Sequence, residues 1–492
     1  MGDGPERWLE LARKLDWTPK YAAERDLFPP DVAGAPWLES MEWASWEEPF
    51  RTTYAQYVSG QRKKEGAVRA IFEALGRPGQ VASFDRAWVS SLKLHSALLA
   101  LGEFGAVVGN LRAARFGRAS AWRTAALLGA LDECRHTQIP LRLAHGLVDD
   151  PQFDWTHRLF HTNNWISIAA RHFFDELLVT SNPIELAIGT NFVFETGFTN
   201  LQFIGLAAVA RGVNDTLLER VLTSIQTDEA RHAQIGRQVL EVVARHDPAY
   251  AQFLVDKWWW RSWLLFAVLT GFTMDYLAPV SQRKSSFKEF IHEWLLVQFD
   301  RTLEECGLAR PWYWDEFIRA TSYYHHMVYA TAYTYRATVW FDLPLPGPAD
   351  RAWLASKYPE SWAELDPIWD QISARWEDAD PGIDFAVHGT AIVGFCELCQ
   401  LVLSNGTPTR NSAVTASIGG QKYVFCSEPC RRIFEAEESR YSEHKGLVKR
   451  VLDGEAPGNL MALLTQYCGL VFDDWGKDAA GGVYSWLTRT PR

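Results

Sequence analysis

The chain has 492 residues, 47% hydrophobic and 22% charged, with a formal net charge of -11. This balance excludes a disordered chain, and the acidic excess argues against general nucleic-acid binding. Twenty-three Trp point to broad buried or partner-facing surfaces, and seven Cys in such a length do not make a disulfide scaffold. The first residues carry neither a secretory apolar run nor a Ser or Thr at position 6 for myristoylation. The most apolar stretch, Ser262 to Met274, is too short to span a bilayer. A cytoplasmic protein without a membrane span is the simplest expectation.

Residues 1–50 are rich in Trp and Pro and read as an N-terminal arm laid over a larger body. The basic run from Gln61 to Glu65 reads as a solvated helix face. From Asp85 the apolar spacing is helical, giving Asp85–Phe116, Ala121–Leu147, His157–Val179 and Pro183–Arg211, the last opened by a proline well placed in a first turn. A fifth helix, capped by Asn214 and Asp215, ends near Arg245, and Tyr250–Leu277 and Phe287–Cys306 follow. Nothing between 85 and 245 alternates with strand period, so an all-α bundle is expected over 51–345. A helical linker follows over 346–384, then a small β-containing module over 385–440 and a C-terminal helix and tail over 441–492.

The first chemical signal is a carboxylate in an apolar run, Glu195 within Phe192-Val-Phe-Glu-Thr-Gly-Phe-Thr-Asn200. A buried ionised carboxylate must be paired or bound to a metal. The chain also contains Glu133-Cys-Arg-His136 and Glu229-Ala-Arg-His232, and positions i and i+3 of a helix share a face. Each pair follows a lone glutamate in an apolar helix, Glu103 thirty residues before Glu133 and Glu195 thirty-four before Glu229. Glu followed by Glu-x-x-His, twice, is the ligand repeat of di-iron carboxylate bundles. Four carboxylates balance two divalent ions, and the mixed carboxylate and imidazole set suits iron or manganese. Asp132 and Asp228 each precede the histidine by four residues, one turn away on the same helix. Each is expected to accept its second ring N–H, with Arg135 and Arg231 pairing nearby carboxylates.

With these residues in view, the chain resembles the large (α) hydroxylase subunit of bacterial multicomponent monooxygenases, leaning toward the toluene branch with alkene and phenol hydroxylases nearby. Supporting stretches are Trp17–Tyr21 with Leu27–Pro29, Phe192–Phe203, Ser224–His232, Met274–Tyr276 and Arg310–Trp314. The resemblance implies a ferritin-like di-iron bundle in which Glu103, Glu133 and His136 hold one iron and Glu195, Glu229 and His232 the other. It implies that Thr199 is the active-site threonine; its rival role is a core threonine bonded back to its own helix. Gly197 and Asn200 mark a local widening of the helix, and such π-bulges gather at functional sites. Asn200 and Gln226 would face an effector protein. Leu99, Gly102, Ala106, Phe174, Phe194 and Phe203 would line the substrate pocket, though by pattern alone they read as core.

Cys396-Glu-Leu-Cys399 and Cys426-Ser-Glu-Pro-Cys430 have structural-zinc spacing, with a rubredoxin-like iron site or free thiols as alternatives. Cys134, Cys306 and Cys468 read as buried thiols, and His325-His326, with no carboxylate at ligand spacing, as a structural pair. The resemblance further implies NADH-derived electrons delivered by a partner reductase, with or without a Rieske ferredoxin. It also implies β and γ subunits in an α2β2γ2 hydroxylase, an effector protein, and insertion of one atom of O2 into an arene or a small alkene. Two rivals stay open: an acyl desaturase, and a non-catalytic iron-binding scaffold. A ribonucleotide reductase radical subunit is disfavoured because Pro140 sits where its tyrosine should be.

Overall fold

The computed structural model describes residues 42–46, 52–77, 79–146, 165–334, 343–378, 396–401, 413–442, 450 and 453–457. Most of the expected arm and tail, the start of the expected third helix, and Cys468 lie outside them. Within them the fold is a helical bundle followed by one β-hairpin, as the sequence pattern demands.

The elements that carry the site are α1 (Tyr54–Leu75), α2 (Arg86–Phe116), α3 (Ser120–Leu141), α4 (Trp165–Phe174, continuing as a π-helix over Asp175–Thr180), α5 (Pro183–Gly212) and α6 (Thr216–His246). Helices α2 and α3 form one hairpin and α5 and α6 a second, and α3 packs on α6 to join the two. The ligand repeat is thus a repeat of helical hairpins. Local chemistry sets the boundaries: Asp85 caps α2, Asn182 caps α5 ahead of Pro183, and Asp215 caps α6 by accepting the Leu218 N–H at 3.0 Å.

Helix α5 departs from α geometry where it matters. Ala187–Thr199 is π-helical, a wider stretch than the local bulge expected at Gly197 and Asn200. Gly236 of α6 lies against this stretch: a Cβ there would stand 2.3 Å from the Phe192 backbone nitrogen. Only a glycine permits that approach.

By length and composition α2 and α5 are each apolar enough to cross a membrane, which the short uninterrupted run of Ser262–Met274 did not suggest. A continuous run breaks at every charge, whereas a span tolerates a few. Here 59% and 65% of the two apolar windows are buried inside the protein, and the charges they carry point into the bundle.

Helix α7 (Pro248–Leu277) backs the two hairpins with Trp258, Trp259 and Trp263, all fully buried. After it come α8 (Phe287–Phe290, a π segment Ile291–Leu295, then Leu296–Glu305), α9 (Trp314–Ala320), α10 (Tyr324–Thr334), α11 (Pro348–Lys357) and α12 (Pro359–Asp378). The four-Cys region supplies β1 (Val414–Ile418) and β2 (Gln421–Phe425), paired antiparallel with Val414 opposite Phe425, and then α13 (Glu428–Ala436) and α14 (Glu438–Ser442).

That small module is locked to the bundle by charge. Lys257 of α7 lies 2.9 Å from Glu176 and 2.7 Å from Glu185, and Arg440 of α14 reaches Glu185 at 2.9 Å. The Tyr441 hydroxyl donates to Glu176 at 2.7 Å. Arg440 and Lys257 hold Glu185 down, to about 2, against the burial that would raise it.

A candidate di-metal centre and its cavity

All six expected ligands converge between the two hairpins. Glu103, Glu133, His136 and Glu229 form one group whose ligand atoms lie within 4.8 Å of one another, and Glu133, Glu195, Glu229 and His232 form a second. Glu133 and Glu229 belong to both, so either could contribute an oxygen to an ion held by each group. None of the six is more than 8% exposed.

The donor arrangement fits cations better than protons. His136 Nδ1 has Glu229 Oε1 at 3.0 Å, Glu133 Oε2 at 3.1 Å and Glu103 Oε2 at 3.7 Å. One N–H cannot serve three carboxylate oxygens. Across the centre, His232 Nδ1 lies 3.1 Å from Glu133 Oε1. Yet neither His232 Nδ1 nor Glu229 Oε1 makes a hydrogen bond of acceptable geometry. Buried orphan ligand atoms aimed at a common point are what a metal would satisfy.

The buried carboxylates and imidazoles shift one another's protonation strongly. Burial, with Glu133 beside it, holds Glu103 well above the usual carboxylate range. Burial likewise pushes Glu195 up to about 8. Burial would raise Glu133 too, but His232 and His136 override it and hold it low. The carboxylates in turn raise His232 to about 10 against the burial that would lower it. Divalent cations would replace these protons.

The outer support is crossed, which corrects the expectation from spacing. Asp228 faces His136, with His136 Nε2 3.3 Å from Asp228 Oδ2, and Asp132 faces His232 at 3.0 Å. Each aspartate therefore serves the histidine of the other hairpin. The cause is rotational: the i–4 side chain is directed across the α3–α6 interface, where the partner histidine's Nε2 emerges. The arginines cross as well, Arg135 donating to Asp228 at 2.6 Å and Arg231 pairing with Asp132. Helix α1 closes over both aspartates: Tyr57 donates to Asp132 at 2.8 Å, Gln61 to Asp132 at 2.6 Å, and Lys64 pairs with Asp228. The solvated face expected for Gln61–Glu65 is thus half wrong. Arg62 and Lys63 are exposed, while Gln61 and Lys64 turn inward.

Next to the centre lies a cavity of about 90 Å³. One water needs about 10–15 Å³, so there is room for a small molecule. Its wall contains Leu99, Gly102, Ala106, Phe174 and Phe194, as the resemblance implied, with Glu103, Glu195 and Glu229 at the metal end. Phe174 and Phe194 meet edge to face at 5.9 Å. Thr199 lines the same cavity, and its hydroxyl is buried without a hydrogen-bond partner, so the rival back-bonded role is not what the geometry gives.

Phe203 is corrected: it is 1% exposed and packs in a separate apolar cluster with Leu206, Val221 and Leu222. The π-to-α change at Asn200 shifts the phase of α5, so Gln202 rather than Phe203 reaches the cavity. Sequence reasoning missed His95, Thr190 and Gln202 in the wall. His95 was findable, since it stands eight residues before Glu103 on the same helical face. Asn191, which donates to Glu195 Oε2 at 2.7 Å, was also missed. A smaller apolar cavity beyond shares His95 and Leu99 with the first, so these two side chains form the wall between them. Asn200 and Gln226 are both half-buried.

The four cysteines of the module gather with their sulfurs within 4.8 Å of one another. A tetrahedral ion with Zn–S bonds of about 2.3 Å needs sulfurs about 3.8 Å apart. Cys399 and Cys426 are 3.8 Å apart, and Cys426 and Cys430 3.5 Å. Cys134 is exposed, not buried as expected: Glu133 and His136 take the inward face of α3, leaving it outward with Leu127 and Leu131. His325 and His326 do have a carboxylate beside them, Asp275, brought from fifty residues away. That aspartate accepts from His325 at 2.7 Å, from Tyr358 at 2.5 Å and from the Phe287 N–H at 3.0 Å. The pair is thereby held in a buried hydrogen-bond network.

Comparison with known proteins places this geometry. Residues 17–247 match the family model described as methane/phenol/alkene hydroxylase. The chain is 36% identical to the oxygenase component α subunit of the alkene monooxygenase system of Xanthobacter autotrophicus, over 97% of this chain and 96% of that one. It is 26% identical to the phenol 2-monooxygenase oxygenase component DmpN of a Pseudomonas species, over 94% of this chain and 89% of that one. Among solved structures, phenol hydroxylase from Pseudomonas sp. OX1 superposes with a TM-score of 0.75 at 26% identity, covering 98% of this chain and 99% of that one. These relatives are, by name, alkene and phenol enzymes; the lean toward the toluene branch rests on the sequence stretches alone.

Proposed function

The chain belongs to the methane, phenol and alkene hydroxylase family, and from that premise we propose that its two-hairpin cradle is the active centre of a di-iron monooxygenase α subunit. The observation that carries the assignment of ligands is the convergence of three carboxylate oxygens on His136 Nδ1, a crowding that protons cannot satisfy. Glu103, Glu133 and His136 would hold one iron and Glu195, Glu229 and His232 the other, with Glu133 and Glu229 in reach of both. When bound, the irons supply the reduction and cleavage of dioxygen.

The protein's own residues do the rest. Asp132 and Asp228 fix the imidazoles with Nε2 outward and Nδ1 toward the centre. Leu99, Ala106, Phe174 and Phe194 keep water out and lay a flat or small apolar molecule beside the carboxylates. The free hydroxyl of Thr199 is the group placed to hold or pass a proton at the oxygen's position. The substrate class is an aromatic hydrocarbon or a small alkene, receiving one oxygen atom as a hydroxyl or an epoxide.

Reducing equivalents would come from NADH through a separate reductase, with or without a Rieske ferredoxin. The chain would work in the cytoplasm with β and γ subunits as α2β2γ2, and an effector protein would dock near Asn200 and Gln226. The four thiolates would hold a structural zinc, an assignment supported by their sulfur spacing. The experiment is turnover under ¹⁸O2 of the iron-loaded hydroxylase with reductase and effector. One labelled oxygen atom in an arene or alkene product is expected. Desaturated product without label would favour the desaturase reading, and no product with competent partners would favour the scaffold.

A further inference from the structure

The cavity is apolar along its flanks and polar at two poles. One pole is the carboxylate cradle. The other is His95 of α2 with Gln202 of α5, both 5% exposed and both on the cavity wall. His95 precedes Glu103 by eight residues, about 12 Å of helix, and Gln202 follows Thr199 by three, about 4.5 Å. The second pole is therefore one turn of α5 beyond Thr199, a separation suited to a single small molecule.

The Thr273 hydroxyl proton has two acceptors in reach, the Leu269 carbonyl and His95 Nε2, and its choice sets the tautomer of His95. With that proton on the Leu269 carbonyl at 3.0 Å, Thr273 meets His95 Nε2, 2.6 Å away, with lone pairs only. Ser91 Oγ, 3.3 Å from the Thr273 oxygen, is left to donate to it. In that arrangement the ring proton sits on Nε2 and Nδ1 is an acceptor, the tautomer taken below. Facing Nδ1 is the Gln202 carboxamide at 3.5 Å, at the outer limit of a hydrogen bond. Burial keeps the ring neutral by lowering its pKa to about 4. A neutral imidazole with an under-used lone pair thus stands on the wall of an apolar chamber.

We propose that His95 is a specificity-determining residue: with Gln202 it forms a hydroxyl-binding pole where an apolar ligand's O–H is donated to His95 Nδ1. Thr273 is a positioning residue that holds the ring in the required tautomer. The inference rests on reading the cavity as the substrate site.

The test is equilibrium binding of phenol and of toluene, its near-isostere with a methyl in place of the hydroxyl, to the iron-loaded hydroxylase. His95→Leu is expected to weaken phenol about tenfold, the worth of one buried hydrogen bond, and to leave toluene unchanged or tighter. His95→Asn, which keeps an acceptor, should recover part of the loss. Thr273→Val should weaken phenol by a smaller factor, again without moving toluene. Equal changes for the two ligands in His95→Leu, or phenol binding untouched by it, would overturn the pole. Ala106→Trp, which fills the chamber, separates the two readings. If it leaves both ligands bound as before, the cavity is not the substrate site and the premise itself fails.

Discussion

His136 and Asp228 are 92 residues apart in sequence and on different hairpins, yet Asp228 Oδ2 stands 3.3 Å from His136 Nε2. The mirror pair, His232 and Asp132, stands at 3.0 Å. Crossing makes the two halves of the cradle interdependent, because each histidine is oriented by the helix that carries the other. Asp228→Asn is therefore expected to weaken the iron held through His136, and Asp132→Asn the iron held through His232. The expected loss of affinity is about 10- to 100-fold, measured by chelator competition and by iron per chain. Selective loss of the iron held by the histidine on the aspartate's own helix would contradict the crossed support.

Gly236 and Phe192 meet more closely than any other residue would allow, and the contact falls one turn before Glu195 on α5. Gly236→Ala should push α6 off the π-helical backbone and cost about 1–3 kcal/mol of stability. It should also disturb the Asn191–Glu195 hydrogen bond, so iron content should fall even at temperatures where the variant stays folded. Urea unfolding and iron analysis on the same preparation check both effects.

The six ligands were legible because i, i+3 spacing, lone carboxylates and repetition are all local or periodic signals. The helical hairpins were legible for the same reason, together with start signals such as the Asp215 cap and Pro183 in a first turn. What was hidden is nonlocal or out of period. The crossing depends on which residues two separate helices present to each other. The π-helix over Ala187–Thr199 changes the angular step of α5, so Phe203, expected in the pocket by resemblance, packs in the core as its pattern suggests, and Gln202 reaches the cavity instead. Gln61 and Lys64 looked like surface residues because their partners, Asp132 and Asp228, lie far along the chain.

Thr199 offers a buried hydroxyl with no partner beside Glu195 and Glu229. Thr199→Val should leave iron content intact while lowering product formed per O2 consumed by about two- to tenfold, the worth of one hydrogen bond. Thr199→Ser should restore most of the coupling. Oxygen-electrode and product measurements on one sample give the ratio; an unchanged ratio in the valine variant would remove Thr199 from proton handling.

The sulfur spacing at Cys396, Cys399, Cys426 and Cys430 predicts one zinc per chain, separable from iron by metal analysis. Cys430 is buried, so Cys430→Ser should release that metal and expose the module to protease, while the iron count stays near two. Retention of stoichiometric zinc in this variant would argue for a different ligand set.

The ionic lock between α14 and the bundle should make attachment of the module depend on pH in a definite direction. Glu185 has a folded pKa of about 2, below its ordinary 4.5, because Arg440 and Lys257 outweigh burial. A depressed carboxylate contributes stability in full above its unfolded pKa and loses it as pH falls through the folded value. At the other end, Lys257 is raised to about 12 from 10.5 as its carboxylates overcome burial, so its contribution is complete below 10.5 and fades as pH rises through 12. Protease protection of residues 413–442 is thus expected to be flat through neutrality and to decline between about pH 4.5 and 2. Glu185→Gln should lower protection at neutral pH and make it less sensitive to acid over that window. If the variant and the wild type decline in parallel, the acid sensitivity lies elsewhere, and Glu185 is not what ties the module to the bundle.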